Sequence, residues 1–326
     1  MTKTLQKRLI NVLPYDSHWP EQFTEEAQSI QKALGANCIE IHHIGSTAVP
    51  GLAAKPIIDM IPVVLDITQV DAMNPLMAAL GYEVKGESGM LFRRFFQKGD
   101  TQPSFNVHVF EQGSSEIERH VKFRDWMRAH PEDRDAYAQL KQDLAQLHPD
   151  DLSAYCFGKE DFVSRIDKRT GCFGLRVVKA LTPREWNGIR HLRQFYFFDQ
   201  AGLTDPSTWT FEHDAHLHFV LYQGTEIIGY AHLQLWPDAR VAMRIIVIDE
   251  AKRNHHYGHQ FLLLCERWLK EQGYKSLHVE SSPKALEFYQ KNGYIKMPFN
   301  DPDDYEGDPR DIGLGKILNI TSSRTK

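Results

Sequence analysis

Two short stretches of the sequence combine residue types that could bind phosphate groups. The first reads IGSTAVPGLAAKPIIDM, residues 44–60, and places a Gly45-Ser46 turn after an apolar run and one carboxylate, Asp59, among apolar neighbours. Such a turn presents backbone N–H groups to an anion, and carboxylates can hold the divalent cations that bridge phosphates. The same residues would also suit a tight turn between two strands, so this pattern alone leaves both interpretations open.

The second stretch, VIDEAKRNHHYGHQFL, covers residues 247–262. It predicts a strand, a polar turn that contains Arg253, and an amphipathic helix that begins near Gly258. The first N–H groups of a helix lack intrahelical partners and carry the positive end of the helix dipole, so phosphate binds there readily. Many strand–turn–helix junctions bind no ligand, so the surrounding elements must decide.

The length, composition and net charge of the chain argue against several classes of protein. A length of 326 residues suits two domains, and 42% hydrophobic with 25% charged residues is typical of globular chains. A net charge of −5 gives no reason to expect nucleic acid or an anionic membrane as a partner. The scattered cysteines form no CxxC pair, so no zinc knuckle or disulfide framework is indicated. Without a signal-peptide-like start or a membrane-length apolar run, we expect a soluble cytoplasmic protein.

The first half alternates helical and strand patterns that would position the first turn. Apolar residues at helical spacing predict a helix that ends at Gly35, and Ser115 with Glu118 forms a capping-box pattern. Strands are predicted for the segments CIEIHHIG, PIIDMIPVVL, GMLFRRFFQKG and SFNVHVFEQG, and further helices follow. The interruption RTGCFG predicts domain limits of 1–172 and 173–326.

The second half begins again with a strand, LRVVKAL, and a helix whose start carries Thr182 as N-cap and Glu185 as capping glutamate. Two strands around Gln223-Gly224 predict a hairpin. The strand VAMRIIVID, a helix, the strand SLHVES and a short helix capped by Ser282 complete the order. This arrangement would place the second turn between a strand and a helix.

This order of elements resembles the GNAT family of acetyl-CoA-dependent N-acetyltransferases over about residues 175–318. The family's pyrophosphate loop, [QR]-x-x-G-x-[GA], falls on residues 253–258, where the arginine and the last glycine match and His256 takes the place of the first glycine. Its later pattern, N-x-x-A-x-x-[FY]-Y-x-K-x-G-[FY], begins at Ser282 in place of the asparagine. The other fixed positions match: Ala285, Phe288, Tyr289, Lys291, Gly293 and Tyr294.

The resemblance implies transfer of an acetyl group from acetyl-CoA, a cosubstrate, directly to a primary amine. In such enzymes backbone N–H groups bind pantetheine and stabilise the oxyanion, and a tyrosine hydroxyl protonates the departing thiolate. Carried onto this sequence, Tyr289 is the candidate catalytic acid, although a tyrosine beside Phe288 would also suit a core. The candidate cofactor-binding residues are Val247, Ile248, Arg253, His256, Tyr257, Gly258 and Ser282.

The resemblance does not fix the general base. Five residues lie on segments that would face the acceptor: Glu212, His216, His218, His232 and Arg244. Histidines at 213, 216 and 218 suggest a metal trio, but on a strand His216 and His218 share one face while His213 does not. We therefore expect no metal.

The first stretch also fits a longer pattern, h-G-[GS]-x(9–13)-D-h-[DE]-h, which is typical of nucleotidyltransferases. There, two closely spaced carboxylates hold the divalent metals that bridge the phosphates. The second carboxylate would stand at Ile61, which cannot bind a metal. The string IHHIGSTAVPGLAAKPIIDM, with FRRFF, NVHVFE and FRDWMRAHPEDRDAYAQLK, resembles more specifically the GrpB family, a nucleotidyltransferase-like group without a settled activity, over about residues 12–166.

A cationic, histidine-bearing pocket at this turn favours an anionic ligand over two-metal transfer. Glu111 could replace the missing carboxylate if the sheet brings it near the turn. Arg93 and Arg94 face opposite sides of a strand, so at most one points into a given pocket, and His42-His43 would also suit packing at a strand end. The candidate phosphate-ligand residues are His43, Gly45, Ser46, Lys55, Asp59, Arg93, Arg94 and His108.

The sequence thus predicts a two-domain α/β (α+β) protein, in which a nucleotidyltransferase-like mixed-sheet domain precedes a GNAT-fold domain. We expect an N-acetyltransferase whose acceptor is a small-molecule or peptide amine. A phosphorylated ligand is a further candidate for the first domain, and no nucleic acid or membrane partner is expected. The alternative is a nucleotidyltransferase or phosphate-ligand-binding protein whose GNAT half is a degenerate binding module. The sequence leaves the oligomeric state and the nucleotidyltransferase activity open.

Overall fold

The computed structural model of the protein describes residues 9–99, 104–199, 202–303 and 307–318. The chain divides into two compact units between Leu175 and Arg176, called unit 1 and unit 2 below. The predicted boundary after residue 172 lies near this division, and the exact domain limits remain a prediction. Among the helices of these described ranges, none is both long enough and apolar enough to cross a bilayer.

Unit 1 contains a mixed five-stranded sheet. Its strands are β1 (Cys38–Ile44), β2 (Ile58–Val64), β3 (Tyr82–Val84), β4 (Arg93–Lys98) and β5 (Phe105–Glu111). They lie in the order β1-β2-β5-β4-β3, with β2 and β5 parallel and the other neighbours antiparallel. Because Ile44 lies opposite Asp59 in the β1–β2 pair, the sheet brings the turn after β1 against this carboxylate.

Six α-helices in the described residues of unit 1 cover the sheet or pack beside it. They are α1 (Trp19–Leu34), α2 (Asn74–Ala79), α3 (Ser115–Ala129), α4 (Pro131–Leu147), α5 (Leu152–Phe157) and α6 (Glu160–Arg169). Alternate residues of β2 enter two core clusters: Met60 packs with Ile30 of α1, whereas Ile61 and Val63 pack with Ile117 of α3. Burial on both faces explains why this strand reads as a continuous apolar run.

The described residues of unit 2 form a mixed seven-stranded sheet and three α-helices. The strands are β6 (Leu175–Lys179), β7 (His216–Gln223), β8 (Glu226–Leu235), β9 (Arg240–Ile248), β10 (Ser276–Ser281), β11 (Ile295–Lys296) and β12 (Ile312–Ile317). Their order is β11-β12-β10-β9-β8-β7-β6, and β9 runs parallel to β10. The helices are α7 (Pro183–Arg193), α8 (Tyr257–Glu271) and α9 (Leu286–Lys291).

The parallel pair at the centre of this sheet separates along its length. Arg240–Ala242 of β9 pair with Ser276–His278 of β10, and the pairing of the two strands ends there. β9 continues to Ile248, paired on its other side with β8, while β10 continues to Ser281. The two strands therefore diverge and leave a wedge inside the sheet.

Two local sequence signals in unit 2 are confirmed. Thr182 and Glu185 form a reciprocal capping box at the start of α7. The predicted hairpin joins β7 to β8, with Gln223 opposite Glu226 and Gly224 at a positive φ of 56° in the connecting turn. A positive φ is a conformation that glycine adopts without steric cost.

Two predicted helix caps are wrong. Ser114 rather than Ser115 caps α3, since its side chain accepts a hydrogen bond from the backbone N–H of Glu116. Ser282 does not cap α9, because a turn follows it and the helix begins only at Leu286. Ala285, whose side chain cannot cap, precedes α9 instead.

Candidate functional site

A cavity of about 190 Å³ lies where β9 continues past its pairing with β10. It is lined by Ile246, Val247, Ile248, Gly258, Ala285, Phe288 and Tyr289. These residues come from the end of β9, the first turn of α8 and the segment around α9. The structure thus brings together four of the predicted unit 2 residues: Val247, Ile248, Gly258 and Tyr289.

Tyr289 is buried, at 7% exposure, yet its hydroxyl makes no hydrogen bond with any residue that the structure describes. Its ring packs edge-on against Phe288 and Tyr294, with centroid distances of 5.2 and 5.3 Å. Burial raises the pKa of this hydroxyl above its usual value, so the proton stays on the oxygen at neutral pH. A protonated, unpaired hydroxyl that lines a cavity can donate to a ligand there.

The turn before α8 holds the residues of the predicted pyrophosphate loop. Arg253 donates from Nε to the carbonyl of Ile248 at 3.0 Å, and its guanidinium lies 4.9 Å from the centre of the Tyr196 ring. His256 is the N-cap of α8 and adopts a left-handed conformation, with φ 61° and ψ 10°. His256 stands where the GNAT pattern has glycine, and its left-handed backbone is one that favours glycine.

Replacing His256 by glycine is expected to stabilise unit 2. Relief of the left-handed backbone is worth about 1–2 kcal/mol, and the extra chain entropy of glycine offsets roughly 0.5–1 kcal/mol of it. Hydrogen exchange of α8 peptides should therefore slow in His256→Gly. His255→Gly is the matched control, because His255 is not among the described residues with positive φ and should lose stability. Faster exchange in His256→Gly would contradict the expected strain.

Gly258 lies against the wall of the cavity. A Cβ built on it would lie 3.5 Å from the Phe288 ring and 3.7 Å from Ile248, which is ordinary van der Waals contact. The absence of a side chain therefore makes a shallow cradle at the start of α8. Four of the predicted cofactor-binding residues do not line this cavity: Arg253, His256, Tyr257 and Ser282. The Tyr257 hydroxyl accepts from the amide of Gln223, and Ser282 is exposed.

A larger cavity of about 950 Å³ lies along the preceding part of β9. Met243, Arg244 and Ile245 line it from β9, and Glu280 lines it from β10. Acidic residues contribute much of its wall, namely Glu280, Asp303, Asp308 and Asp311. Its two lining arginines are already engaged, Arg193 with Asp205 and Arg244 with Asp301.

Three of the five residues expected to face the acceptor line this larger cavity: His216, His232 and Arg244. Glu212 and His218 are not part of its lining. His216 and His232 share a hydrogen bond of 2.8 Å. Burial, followed by the charges of His213 and Arg244, lowers the pKa of His216 to about 4, and burial holds the pKa of His232 well below its usual value. Both imidazoles are therefore neutral and weakly basic at neutral pH.

Glu280 is a lining carboxylate that sequence reasoning missed. Burial raises its pKa, and the charges of Asp311 and Asp301 act in the same direction against the opposing charge of Arg244. A carboxylate with a raised pKa is a better proton acceptor at neutral pH than an imidazole whose pKa is near 4. The available signal was a single acidic residue at the end of the strand SLHVES.

In unit 1 the turn after β1 and Asp59 lie in close contact. Gly45 has φ 71°, and a Cβ placed on it would come within 2.6 Å of Oδ2 of Asp59. The other carboxylate oxygen accepts from the Asn106 amide at 2.9 Å and lies 3.9 Å from Nε2 of His108. Burial acts to raise the pKa of Asp59, but His108, Asn106 and the charge of Lys55 outweigh it, so the pKa is lowered. Asp59 is thus an anion fixed against the turn.

The second carboxylate of a metal pair is not supplied in this region. Ile61 has no exposed surface and packs with Ile44 and Phe110. Glu111 lies opposite Val64, and its side chain accepts from the backbone N–H of Ile67. Among the residues that the structure describes, no three or more histidine, cysteine, aspartate or glutamate side chains form a group able to hold a metal ion.

The two arginines of β4 point to different places. Arg93 donates to the carbonyls of Glu87 and Ser88, and its Nη1 lies 3.5 Å from Nδ1 of His108, so it adjoins the Asp59–His108 pair. Arg94 instead makes a bidentate ion pair with Asp71 at 2.7 and 2.8 Å. The structure therefore does not bring Arg94 to the turn.

His43 and Ser46 make different contacts at the turn. His43 bonds the Thr47 hydroxyl at 3.0 Å and stacks on Phe23, and burial lowers its pKa to about 4. Ser46 receives a hydrogen bond of 2.8 Å from Nζ of Lys141, a residue of α4 that sequence reasoning did not single out. Lys55, which was predicted, and Lys141, which was found only in the structure, thus both belong to or adjoin this loop, and Arg128 and Arg134 donate to its carbonyls at Ala48 and Pro50.

Comparison with known proteins finds a family match in each unit. The family model for the GrpB protein matches residues 9–169, and that for the acetyltransferase (GNAT) family matches residues 186–294. The chain is 42% identical over 161 residues to the UPF0157 protein BH1888 of Halalkalibacterium halodurans and spans 82% of that protein. The chain belongs to the GrpB family.

Other GrpB-family relatives cover the chain only in part. The UPF0157 protein YqkA of Bacillus subtilis is 44% identical over 162 residues, which is 50% of this chain and 47% of YqkA, so the chain spans about half the length of that relative. The crystal structure of the conserved protein GrpB from Enterococcus faecalis is 41% identical and covers 49% of this chain and 96% of its own, with a TM-score of 0.48.

This GrpB-family chain also carries a GNAT domain. The structure of an acetyltransferase of the GNAT family from Staphylococcus aureus Mu50 is 14% identical and covers 45% of this chain and all of its own, with a TM-score of 0.38. The GNAT match includes the turn before α8 and Tyr289, so the smaller cavity lies within the GNAT domain.

Proposed function

We propose that unit 2 transfers an acetyl group from acetyl-CoA to a primary amine. The observation that carries this proposal is the unpaired Tyr289 hydroxyl in a cavity between the diverging strand β9 and the first turn of α8. The glycine cradle at Gly258 and the cationic Arg253 fit an anionic pyrophosphate at the helix start. The GNAT match supports the same assignment for this domain.

Acetyl-CoA supplies an activated acetyl thioester to the site. The backbone of Ile246–Ile248, beyond the recorded pairing with β10, offers polar groups for the pantetheine chain and the developing oxyanion. As the amine nitrogen bonds to the carbonyl carbon and the carbon–sulfur bond breaks, the Tyr289 hydroxyl donates its proton to the thiolate. Glu280 accepts the proton that the amine loses, because its raised pKa suits it better than His216.

The larger cavity would receive the amine. Its lining holds four carboxylates and two arginines; Asp205 and Asp301 engage both arginines, and Arg310 engages one carboxylate, Asp308. Such a wall favours an acceptor that carries further positive charge and disfavours an anionic one. We therefore infer that the acceptor is a polycationic amine, either a small molecule or a basic peptide end.

Replacing Gly258 by aspartate is expected to weaken acetyl-CoA binding at least tenfold, because a carboxylate would stand against the pyrophosphate and like charges in contact cost several kcal/mol. Isothermal titration of the full-length protein should show 1:1 binding that is strong in the natural chain and lost in Gly258→Asp. Gly258→Ala is the matched control, since its Cβ meets only ordinary contacts and adds no charge. Equal affinity in a folded aspartate variant would remove this turn from the site.

The alternative places the activity in unit 1 and leaves the GNAT domain as a binding module. The left-handed His256 favours that view, whereas the buried Ile61 weighs against metal-dependent transfer in unit 1. An acceptor screen with acetyl-CoA and detection of the free thiol separates the two proposals. Thiol release with at least one amine supports acetyl transfer, and none across cationic, neutral and peptide amines supports the alternative.

A further inference from the structure

Three lysines converge on the loop between β1 and β2 in unit 1. Lys55 belongs to the loop, Lys141 to α4, and Lys159 immediately precedes α6. Two of them approach the ring of Tyr155, with Nζ of Lys55 5.0 Å and Nζ of Lys159 4.5 Å from its centre. These three ammonium groups are called the lysine cluster below.

Lys141 is the most unusual member of the lysine cluster. It is 2% exposed, and its Nζ donates to Oγ of Ser46 at 2.8 Å and to the carbonyl of Ala53. Burial, with the charges of Lys159 and Lys55, lowers its pKa to about 7. Lysines are rarely buried so deeply unless a partner compensates for their lost hydration.

The carboxylate that acts on this cluster is already engaged. Asp59 opposes the lowering of the pKa of both Lys55 and Lys141, but it also accepts from Asn106 and adjoins His108. Within the described residues, the ion pairs of unit 1 include none to a member of the lysine cluster. Even with Lys141 only partly protonated at neutral pH, the cluster therefore holds more positive charge than Asp59 neutralises.

An anion would relieve this imbalance. Ammonium groups bind phosphate as point charges, and hydrogen bonds between ionised partners are stronger than neutral ones. The Ser46 hydroxyl, which Lys141 holds in place, adds a neutral polar group beside the cluster. A divalent metal has poor support here, because Ile61 is in the core and Glu111 is occupied at the backbone of Ile67.

We propose that the lysine cluster binds a phosphate-bearing ligand with at least two negative charges, a pyrophosphate group free or as part of a nucleotide, without a divalent metal. The ammonium groups take the place of the cations that bridge phosphates in metal-dependent transferases. This site is independent of the proposed acetyl transfer in unit 2. Under this proposal unit 1 is a ligand-binding domain that recognises its ligand by its negative charge.

The experiment titrates pyrophosphate and ATP separately into the full-length protein at fixed ionic strength, once in EDTA and once in magnesium chloride. The expected result is saturable 1:1 binding in EDTA that magnesium weakens, because the metal neutralises the ligand. Tighter binding of ATP than of pyrophosphate would identify a nucleotide as the source, and equal binding would identify the phosphate group alone. Absence of binding by both ligands at millimolar concentration would overturn the proposal.

Variants locate the site. Lys141→Met and Lys159→Gln should each weaken binding roughly tenfold, the effect of losing one charge-assisted hydrogen bond. Lys122→Gln is the matched control, because Lys122 is a partly exposed residue of α3 that pairs with Glu118. If Lys141→Met does not fold, Lys159→Gln carries the test alone. Full affinity in a folded Lys159→Gln variant would remove the lysine cluster from the site.

Two further outcomes would also overturn the proposal. Pyrophosphate binding that disappears in Arg253→Gln would place the ligand at the start of α8 instead. Magnesium-dependent transfer of label from a nucleotide, abolished by Asp59→Asn, would show a metal-dependent transferase. Acetyl-CoA titrated into the unmodified protein reports on unit 2 separately, so failure of one proposal is distinguishable from failure of the other.

Discussion

Replacing Tyr289 by phenylalanine is expected to lower turnover about 100-fold while acetyl-CoA affinity hardly changes, since a positioned general acid contributes roughly 10²–10⁴-fold. The substitution removes one hydroxyl and keeps the ring that packs against Phe288 and Tyr294. That hydroxyl has no partner among the described residues, so its removal leaves no buried group unsatisfied. The loss should therefore appear in catalysis and not in stability.

The measurement is the rate of free-thiol release with an amine acceptor from the screen, beside an acetyl-CoA titration of the same variant. Tyr294→Phe is the matched control, because Tyr294 is an equally buried neighbour whose hydroxyl donates to Glu266 at 3.1 Å. That control should lose stability and keep most of its turnover. Full activity in Tyr289→Phe would assign this tyrosine to the core.

Replacing Asp205 by alanine is expected to lower the free energy of unfolding of unit 2 by about 3–5 kcal/mol, the usual cost of removing one partner of a buried ion pair. Arg193 is 1% exposed and makes a bidentate pair with Asp205 at 2.6 and 2.8 Å. It also donates to the Tyr230 hydroxyl at 3.0 Å. Without Asp205 the guanidinium would remain buried with its charge uncompensated.

Hydrogen exchange of unit 2 peptides in increasing denaturant would measure this change. Glu287→Gln provides the control, since Glu287 and Lys291 form an exposed pair on α9 that solvent screens, so its loss should hardly change stability. The double variant Arg193→Met with Asp205→Leu should recover most of the loss, because apolar replacements of a buried pair are often neutral. A change below about 1 kcal/mol in Asp205→Ala would mean that other groups compensate for the charge.

The fold class and both families were predictable from the sequence because their signals are local. Apolar runs marked the strands, Thr182 and Glu185 marked a helix start, and the motif around Tyr289 occupies consecutive residues. The structure confirms the two mixed sheets and places Tyr289 in a cavity with the predicted end of β9. The roles assigned to the individual site residues remain predictions.

Residues that act through distant partners were not predictable. Lys141 occupies a helix position among apolar residues, and its partner Ser46 is 95 positions away in the chain. Strand alternation separates Arg93 from Arg94 but does not tell which of them faces the turn, because that depends on where Asp71 lies. Composition and periodicity carry no information about such pairings.

The divergence of β9 from β10 gives the sheet an edge in its interior. The outer edge of a sheet exposes unpaired backbone groups that other chains can join, which makes it a hazard for aggregation. Here the open edge of β9 is flanked by β8 on one side and by β10 and β12 beyond the wedge on the other. A strand from another molecule would have to enter between β9 and β10 to reach these backbone groups, whereas a slender ligand would need less space.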